Sequence, residues 1–263
     1  MPLVETVREG VIAIAQQTAA EILSVYAGAF VVTHKDDRSP LTAADLAAHR
    51  CIVAGLHALT PGIPVLSEES AATDIATRRQ WSRLWLVDPL DGTREFIKRN
   101  GEFTINLALI EDGQAVFGLI QQPVTGLLWY GAPGQGAFRR EGGRDWPLRV
   151  RIPARAPLRI AASRSHRDAR TQALLDALPD SEVVGCGSSL KFCRIAEGAI
   201  DLYPRFGPTS EWDTAAGQAI LEAAGGQVLT LDGRPLRYNQ RDTLLNGDFI
   251  ALGDPDVRAR IPQ

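Results

Sequence analysis

Two carboxylates, Asp88 and Asp91, lie three residues apart in the string Asp88-Pro89-Leu90-Asp91-Gly92-Thr93. Proline fixes the backbone between them, so both side chains can reach one cation. Magnesium prefers oxygen ligands in near-octahedral geometry and leaves room for water and a substrate phosphate, which makes an acidic cluster at a strand end a natural seat for it. Gly92 and Thr93 would open a short helix whose unbonded backbone N–H groups suit a phosphate. The same residues also describe an Asx-Pro turn with a helix cap, so both readings stand at this point.

Three further acids occupy comparable places. Glu68, in Ser67-Glu68-Glu69-Ser70, follows the apolar run 63–66 and so sits just past a strand end. Asp213, after Trp212, stands at the start of a helical pattern, and Asp45 lies three positions after Thr42 at the start of another. Taken singly, each has an ordinary role: a solvated turn for Glu68, a helix cap for Asp213 and a capping box for Thr42 and Asp45. The chain offers no convincing nucleophile–base pair. That fits phosphoryl transfer to water, which depends on positioning and electrostatics rather than on a phosphoenzyme.

These residues need elements to hold them. Val4, Val7, Val11, Ile14, Thr18, Ile22 and Val25 recur at spacings of three and four, predicting an amphipathic helix over most of residues 1–26 that lies against a sheet. Residues 34–41 read as a loop, after which Thr42 opens a second helix. Residues 84–87 read as a strand that stops at Asp88-Pro89, and 103–110, 116–121 and 127–130 as an antiparallel meander. The stretch 133–157 is dense in Gly, Pro and Arg. It marks either a boundary between an amino-terminal α+β half, 1–155, and a carboxyl-terminal α/β half, 156–263, or the loop-rich edge of one sheet. Beyond it, 158–162 reads as a strand, 171–178 and 190–200 as helices and 201–203 as a strand. Residues 213–224 read as an Ala-rich helix that stops at Gly225-Gly226, before the strand 227–231.

A chain of 263 residues, 45% hydrophobic and 22% charged, can bury a sizeable core. Its 28 Lys and Arg against 31 Asp and Glu give a net charge of −3, so nothing in the bulk charge draws it to nucleic acid or anionic lipid, and an anionic ligand must be held by local charge or by metal. Cys51, Cys186 and Cys193 lack C-x-x-C spacing, which argues against a disulfide framework or a zinc site and for a reducing compartment. The first residues lack the layout of a secretory signal, and no apolar run approaches the roughly 20 residues of a spanning helix. A cytoplasmic protein without a transmembrane segment is expected. Peripheral association with the inner face of the membrane, and the choice between monomer and homodimer, stay open.

In their order along the chain these strings resemble the inositol monophosphatase superfamily of magnesium-dependent, lithium-sensitive phosphatases. Its pattern D-P-[LI]-D-G-[TS] is met at 88–93, G-E-E-S at 67–70 with Ser67 in place of Gly, and W-D-x-A-[AG]-G at 212–217. Longer strings resemble the bacterial 3′(2′),5′-bisphosphate nucleotidases, the CysQ type. They are Lys35-x-Asp37-x-Ser39-Pro40-x-Thr42-x-Ala44-Asp45, residues 95–104, Ser163-Arg164-Ser165-His166, Gly187-Ser188-Ser189-Leu190-Lys191-Phe192, and residues 203–209.

The resemblance implies a mixed α/β, layered αβαβα sugar-phosphatase fold. It implies that Glu68, Asp88, Asp91 and the carbonyl of Leu90 hold one or two Mg2+, that Asp213 completes the second site, and that a weaker third ion uses Asp37. Thr93 and Glu68 would activate the attacking water, with Asp45 orienting Thr93. Gly92, Thr93, His166, Ser188, Lys191, Arg205 and Asp213 would contact substrate. Lys191 has a competing role as a solvated helix residue, and Arg205 as the partner of Glu211. The implied reaction releases the 3′-phosphate of adenosine 3′,5′-bisphosphate to give AMP, within sulfur assimilation. The rivals are an inositol monophosphate or fructose 1,6-bisphosphate phosphatase and a catalytically silent binding protein; the complete acidic set argues against the last.

Overall fold

The computed structural model describes residues 3–34, 40–70, 73–162 and 169–261. Its first helix, α1 (Leu3–Ala27), follows the three-and-four spacing of its apolar residues. Strands β1 (Val32–His34) and β2 (Pro40–Thr42) form a small antiparallel hairpin, and α2 (Ala43–Leu59) packs alongside α1. There follow β3 (Val65–Ser67), a 3-10 turn (Glu68–Ser70), α3 (Ile75–Arg78), β4 (Arg83–Asp91) and α4 (Thr93–Ile97). The meander β5 (Thr104–Glu111), β6 (Gln114–Gln121) and β7 (Leu128–Ala132) continues into the edge hairpin β8 (Gly136–Glu141) and β9 (Arg144–Pro147). Strands β3 to β9 form a seven-stranded sheet in chain order, antiparallel except for the β3–β4 pair.

The rest of the chain supplies β10 (Leu158–Ala162), α5 (Ala169–Asp176), β11 (Ser181–Gly185), α6 (Leu190–Ala196), β12 (Leu202–Arg205), α7 (Glu211–Ala223), β13 (Gln227–Thr230) and β14 (Phe249–Leu252). They build a five-stranded sheet in the order β11-β10-β12-β14-β13.

The period of two along each strand sorts side chains into layers. Trp85, Val87, Leu107 and Leu109 pack with Val11 and Ile52 of α1 and α2. Their neighbours Leu84, Leu86, Ala108 and Ile110 face the other way, toward Phe192 of α6 and Ala216 and Ile220 of α7. In β14, Phe249 and Ala251 join that central layer, while Ile250 and Leu252 pack with Leu174 and Leu175 of α5. The order of layers is therefore helices, large sheet, helices, small sheet, helix: the αβαβα arrangement. Helix α7 lies so close to the large sheet that a Cβ on Gly118 would stand 2.2 Å from the Ala216 carbonyl oxygen. Only glycine permits that approach, and it fixes how α7 enters the site.

Three expectations are corrected. Strand β4 does not end at Asp88-Pro89 but runs on to Asp91, because the proline sits where the pairing register shifts and no ladder N–H is needed. The helix expected over 190–200 stops at Ala196, ahead of Gly198 at φ 70°. Strands β11 and β14 and the hairpin β1–β2 were not anticipated. Among the described residues no helix is long and apolar enough to cross a membrane.

Candidate active site

In a regular strand, residues 88 and 91 would point to opposite faces. The register places Asp88 opposite Asn106 and Asp91 opposite Thr104, so β4 spends three residues where β5 spends two. That single extra residue turns Asp91 to the same side as Asp88, as a β-bulge does. The Leu90 N–H folds back onto Asp88 Oδ1 at 3.1 Å. Glu68 arrives from the turn after β3, the parallel neighbour of β4, and Asp213 from the first turn of α7.

The four carboxylates feel one another. Asp88, 2% exposed, is held well above the usual carboxylate range, first by burial and then by the charges of Glu68, Asp91 and Asp213. Asp213 is pushed up to about 8 by loss of solvent and the charges of Asp91 and Glu68, against the pull of its Ser210 N–H bond and the Arg205 charge. This is the donor chemistry of a hard divalent cation, whose charge would relieve the repulsion. Among the described residues no three His, Cys, Asp or Glu donors close around one point. Magnesium retains several waters and takes only one or two protein carboxylates per ion, so neighbouring carboxylates suffice.

Asp45 fulfils both roles that the sequence offered it. Its Oδ2 accepts the Thr42 N–H at 2.7 Å and the Thr42 hydroxyl at 2.6 Å, completing a capping box on α2. Its Oδ1 accepts the Thr93 hydroxyl at 3.2 Å from the start of α4. Burial raises its pKa, opposed by those same bonds. Asp213 likewise caps and faces the site, with Oδ2 accepting the Ser210 N–H at 2.8 Å.

A cleft of about 500 Å³ runs along the seam, with Asp91, Gly92 and Lys98 on one wall and Ser188, Lys191 and Arg205 on the other. Gly92 has φ 90°, and a Cβ there would meet the Glu102 carbonyl oxygen and Ser188 Cβ, each at 3.3 Å, so the walls close only over a glycine. Lys191 is 8% exposed, not a solvated helix residue; its Nζ donates to the Ser188 carbonyl at 2.9 Å and lies 5.2 Å from the Tyr203 ring centre. Nor does Arg205 pair with Glu211. Its Nη2 donates to the Pro208 carbonyl, whereas Glu211 accepts from Arg241 at 2.8 Å and from the Asn239 N–H at 2.6 Å. Of the five buried side-chain polar atoms without a hydrogen-bond partner among the described residues, two, Ser188 Oγ and Arg205 Nε, belong to residues that line this cleft. Lys35, Asp37, Ser39 and Ser163 to His166 lie outside the described residues.

Sequence reasoning missed several residues at this seam. Ser189 and Asn106 bind Asp91, Glu102 accepts the Gly187 N–H at 2.9 Å, and His49 on α2 lies 2.9 Å, Nδ1 to Oγ, from Ser67 beside Glu68. Ser67 carried a signal, since it departs from the glycine of the family string; the others stand in strings whose spacing says nothing about partners so distant in sequence.

Residues 3–254 match the inositol monophosphatase family. The chain is 50% identical over 243 residues to the 3′(2′),5′-bisphosphate nucleotidase CysQ of Salmonella typhimurium, covering 92% of this chain and 97% of that protein. The CysQ of Escherichia coli K12 is 48% identical, covering 90% and 95%. The crystal structure of CysQ from Bacteroides thetaiotaomicron, described as a bacterial member of the inositol monophosphatase family, superposes with a TM-score of 0.81 at 41% identity over 93% of this chain and 96% of that one.

Proposed function

The chain belongs to the inositol monophosphatase family, and from that premise we propose that it is a 3′(2′),5′-bisphosphate nucleotidase, releasing the 3′-phosphate of adenosine 3′,5′-bisphosphate as inorganic phosphate and leaving AMP. The metal ligands of such a site would serve any phosphate monoester. The observation that carries the nucleotide is the pair of orphaned buried atoms, Ser188 Oγ and Arg205 Nε, in a cleft that also presents Lys191. Buried polar groups are nearly always bonded, so two orphans facing one cleft call for a ligand with polar atoms. A cleft of this size suits a nucleotide.

In this reading Glu68, Asp88, Asp91, the Leu90 carbonyl and Asp213 hold two magnesium ions, and Asp37 a weaker third. When bound, magnesium makes water more acidic and neutralises charge on the phosphoryl oxygens. The Thr93 hydroxyl proton is directed at Asp45 Oδ1, which leaves the oxygen lone pairs of Thr93 to accept a proton from the attacking water. Burial raises the Asp45 pKa and so makes it a better terminus for that proton. Glu68 is the second acceptor beside the water. Backbone N–H groups at Gly92 and Thr93 hold the scissile phosphate, and Ser188, Lys191, Arg205 and His166 hold the nucleoside and its 5′-phosphate. The amino-terminal half, 1–155, thus carries most cation ligands and the remainder most substrate contacts. We place the enzyme in the cytoplasm, in keeping with three cysteines that form no disulfide.

The test is phosphate release from adenosine 3′,5′-bisphosphate, inositol 1-phosphate and fructose 1,6-bisphosphate, each with magnesium. The nucleotide should be turned over with the highest kcat/KM; faster release from inositol 1-phosphate would overturn the assignment.

A further inference from the structure

Ser189, the residue before α6, gives its carbonyl to the Phe192 N–H at the start of that helix, at 3.1 Å, and turns its own N–H and hydroxyl across the seam. Its backbone N–H and its hydroxyl reach Asp91 Oδ2 at 2.7 and 2.6 Å. The same hydroxyl lies 2.8 Å from the Asp213 carbonyl oxygen and accepts from Asn106 Nδ2 at 2.9 Å. Asn106 Nδ2 is also 3.3 Å from Asp91 Oδ2, and the Asn106 side chain is itself fixed by the Thr104 hydroxyl at 3.0 Å. Ser189 and Asn106 are 2% and 1% exposed. The hydroxyl has one proton to give, and the charged acceptor, Asp91, forms the stronger bond. Among the described residues every protein donor to Asp91 reaches Oδ2, so Oδ1 is the oxygen left to face a cation.

The neighbours of Ser189 face the other ligand. Ser188, with its orphaned hydroxyl, precedes it, and Lys191 follows two residues later. Ser188 is held at φ 42°, a conformation that costs energy for any residue but glycine and persists only where its surroundings impose it. The bonds of Ser189 to Asp91 and Asn106, and of Gly187 to Glu102, are what impose it. In this one short segment the strained arrangement both aims Asp91 and turns the nucleotide groups to the cleft.

We propose that Ser189, oriented by Asn106, is a positioning residue that couples nucleotide binding to cation binding: a nucleoside monophosphate held by the 187–191 segment fixes Asp91 and so raises cation affinity. By linkage the cation tightens the nucleotide by the same factor. The proposal rests on the nucleotidase reading and adds to it a residue that touches neither the reacting phosphate nor the metal.

The test is calorimetric titration of Mg2+ into the full chain, with and without saturating AMP, which has no 3′-phosphate to hydrolyse. In the parent, AMP should lower the Mg2+ dissociation constant at least about fivefold, the lower end of typical couplings. In Ser189→Ala, and independently in Asn106→Ala, that factor should fall below about twofold while each ligand still binds alone. A merely structural role would weaken each ligand separately and leave the factor at its parent value. So would an AMP phosphate that bridges directly to the cation. A factor unchanged in both variants, or a parent factor of one, overturns the proposal. Hydrolysis of adenosine 3′,5′-bisphosphate by the same parent preparation separates the two ideas. Turnover without coupling sinks the role of Ser189 alone, whereas no turnover and no AMP binding sinks the nucleotidase reading as well.

Discussion

Helices α2 and α7 begin with the same local device and end in different chemistry. Each has a hydroxyl N-cap, Thr42 or Ser210, and an aspartate three residues on whose Oδ2 accepts the cap N–H, at 2.7 Å for Asp45 and 2.8 Å for Asp213. Each aspartate has a raised pKa, with loss of solvent as the first cause. The difference lies in the surroundings of each carboxylate. Asp45 meets the Thr93 hydroxyl, and hydrogen bonds alone oppose the effect of its burial. Asp213 meets the charges of Asp91 and Glu68, which push it further in the same direction. A carboxylate facing a hydroxyl is suited to steering a proton. One facing other carboxylates is suited to a cation.

The sharpest way to break that comparison is to remove each charge in turn. Asp213→Asn should reduce kcat on adenosine 3′,5′-bisphosphate on the order of 10³-fold, the scale of losing a fixed charge at the reacting centre. Asp45→Asn should lose about 100-fold, the lower range for impaired proton transfer. Steady-state rates across a magnesium series decide the matter: excess metal should partly rescue Asp213→Asn and leave Asp45→Asn unchanged. Rescue of both would make the two helix starts equivalent.

The next effect separates the walls of the cleft. Lys191→Ala and Arg205→Ala should each raise KM for the bisphosphate by roughly 10- to 100-fold, the loss of a charge-assisted contact, with a smaller fall in kcat. A small phosphate monoester lacking the 5′-phosphate should be a poor substrate whose kinetics hardly change in either variant. Equal losses on both substrates would assign these cations to the reacting phosphate instead.

A third prediction concerns pH. The folded-state pKa of Asp213, about 8, lies above the ordinary aspartate value of 3.8, so its ionisation opposes folding. The stability it contributes is fully present below pH 4 and is lost as pH rises toward 8. Thermal melts in chelator should therefore fall from pH 5 to pH 8, by a few degrees for a chain of this size. Magnesium should reverse the fall, and Asp213→Asn should make it shallower, leaving the share that belongs to Asp88. A melt independent of pH and magnesium would remove the carboxylate repulsion on which the cation assignment stands.

The smallest effect belongs to the cap. Thr42→Ala removes one bond to Asp45 but leaves its bond to Thr93, and should cost about 1 kcal/mol in denaturant unfolding with less than about a tenfold change in kcat. A large loss of turnover would show that the cap and the proton path cannot be separated.

How much of this was legible depends on the distance over which each feature acts. The helix α1, the cap at Thr42 and the meander β5–β7 follow from residues within a few positions of one another and were legible in the sequence, whereas the cap of α7 falls on Ser210, with Asp213, read as the cap itself, standing three residues on. Strand β14 was not legible, because Phe249 to Leu252 is an unbroken apolar run that owes its strand state to β12 and β13 on either side. The bulge in β4 was half legible: Pro89 announced a break, but only pairing with β5 shows that the break re-aims Asp91 instead of ending the strand.

The sequence by itself determined which side chains are available and the local device that presents each: an aspartate at a helix start, another beside a proline, a lysine at the head of α6. Such devices act within three or four residues, where backbone geometry leaves few choices. The tertiary structure alone decided what each carboxylate faces, because Thr93 comes to Asp45 from 48 residues away and Ser189 to Asp91 from 98. No local rule reaches that far. The packing of α7 against Gly118 and the register of β4 on β5 bring those partners together, and so give a hydroxyl to one and other carboxylates to the next among aspartates that the chain spells alike.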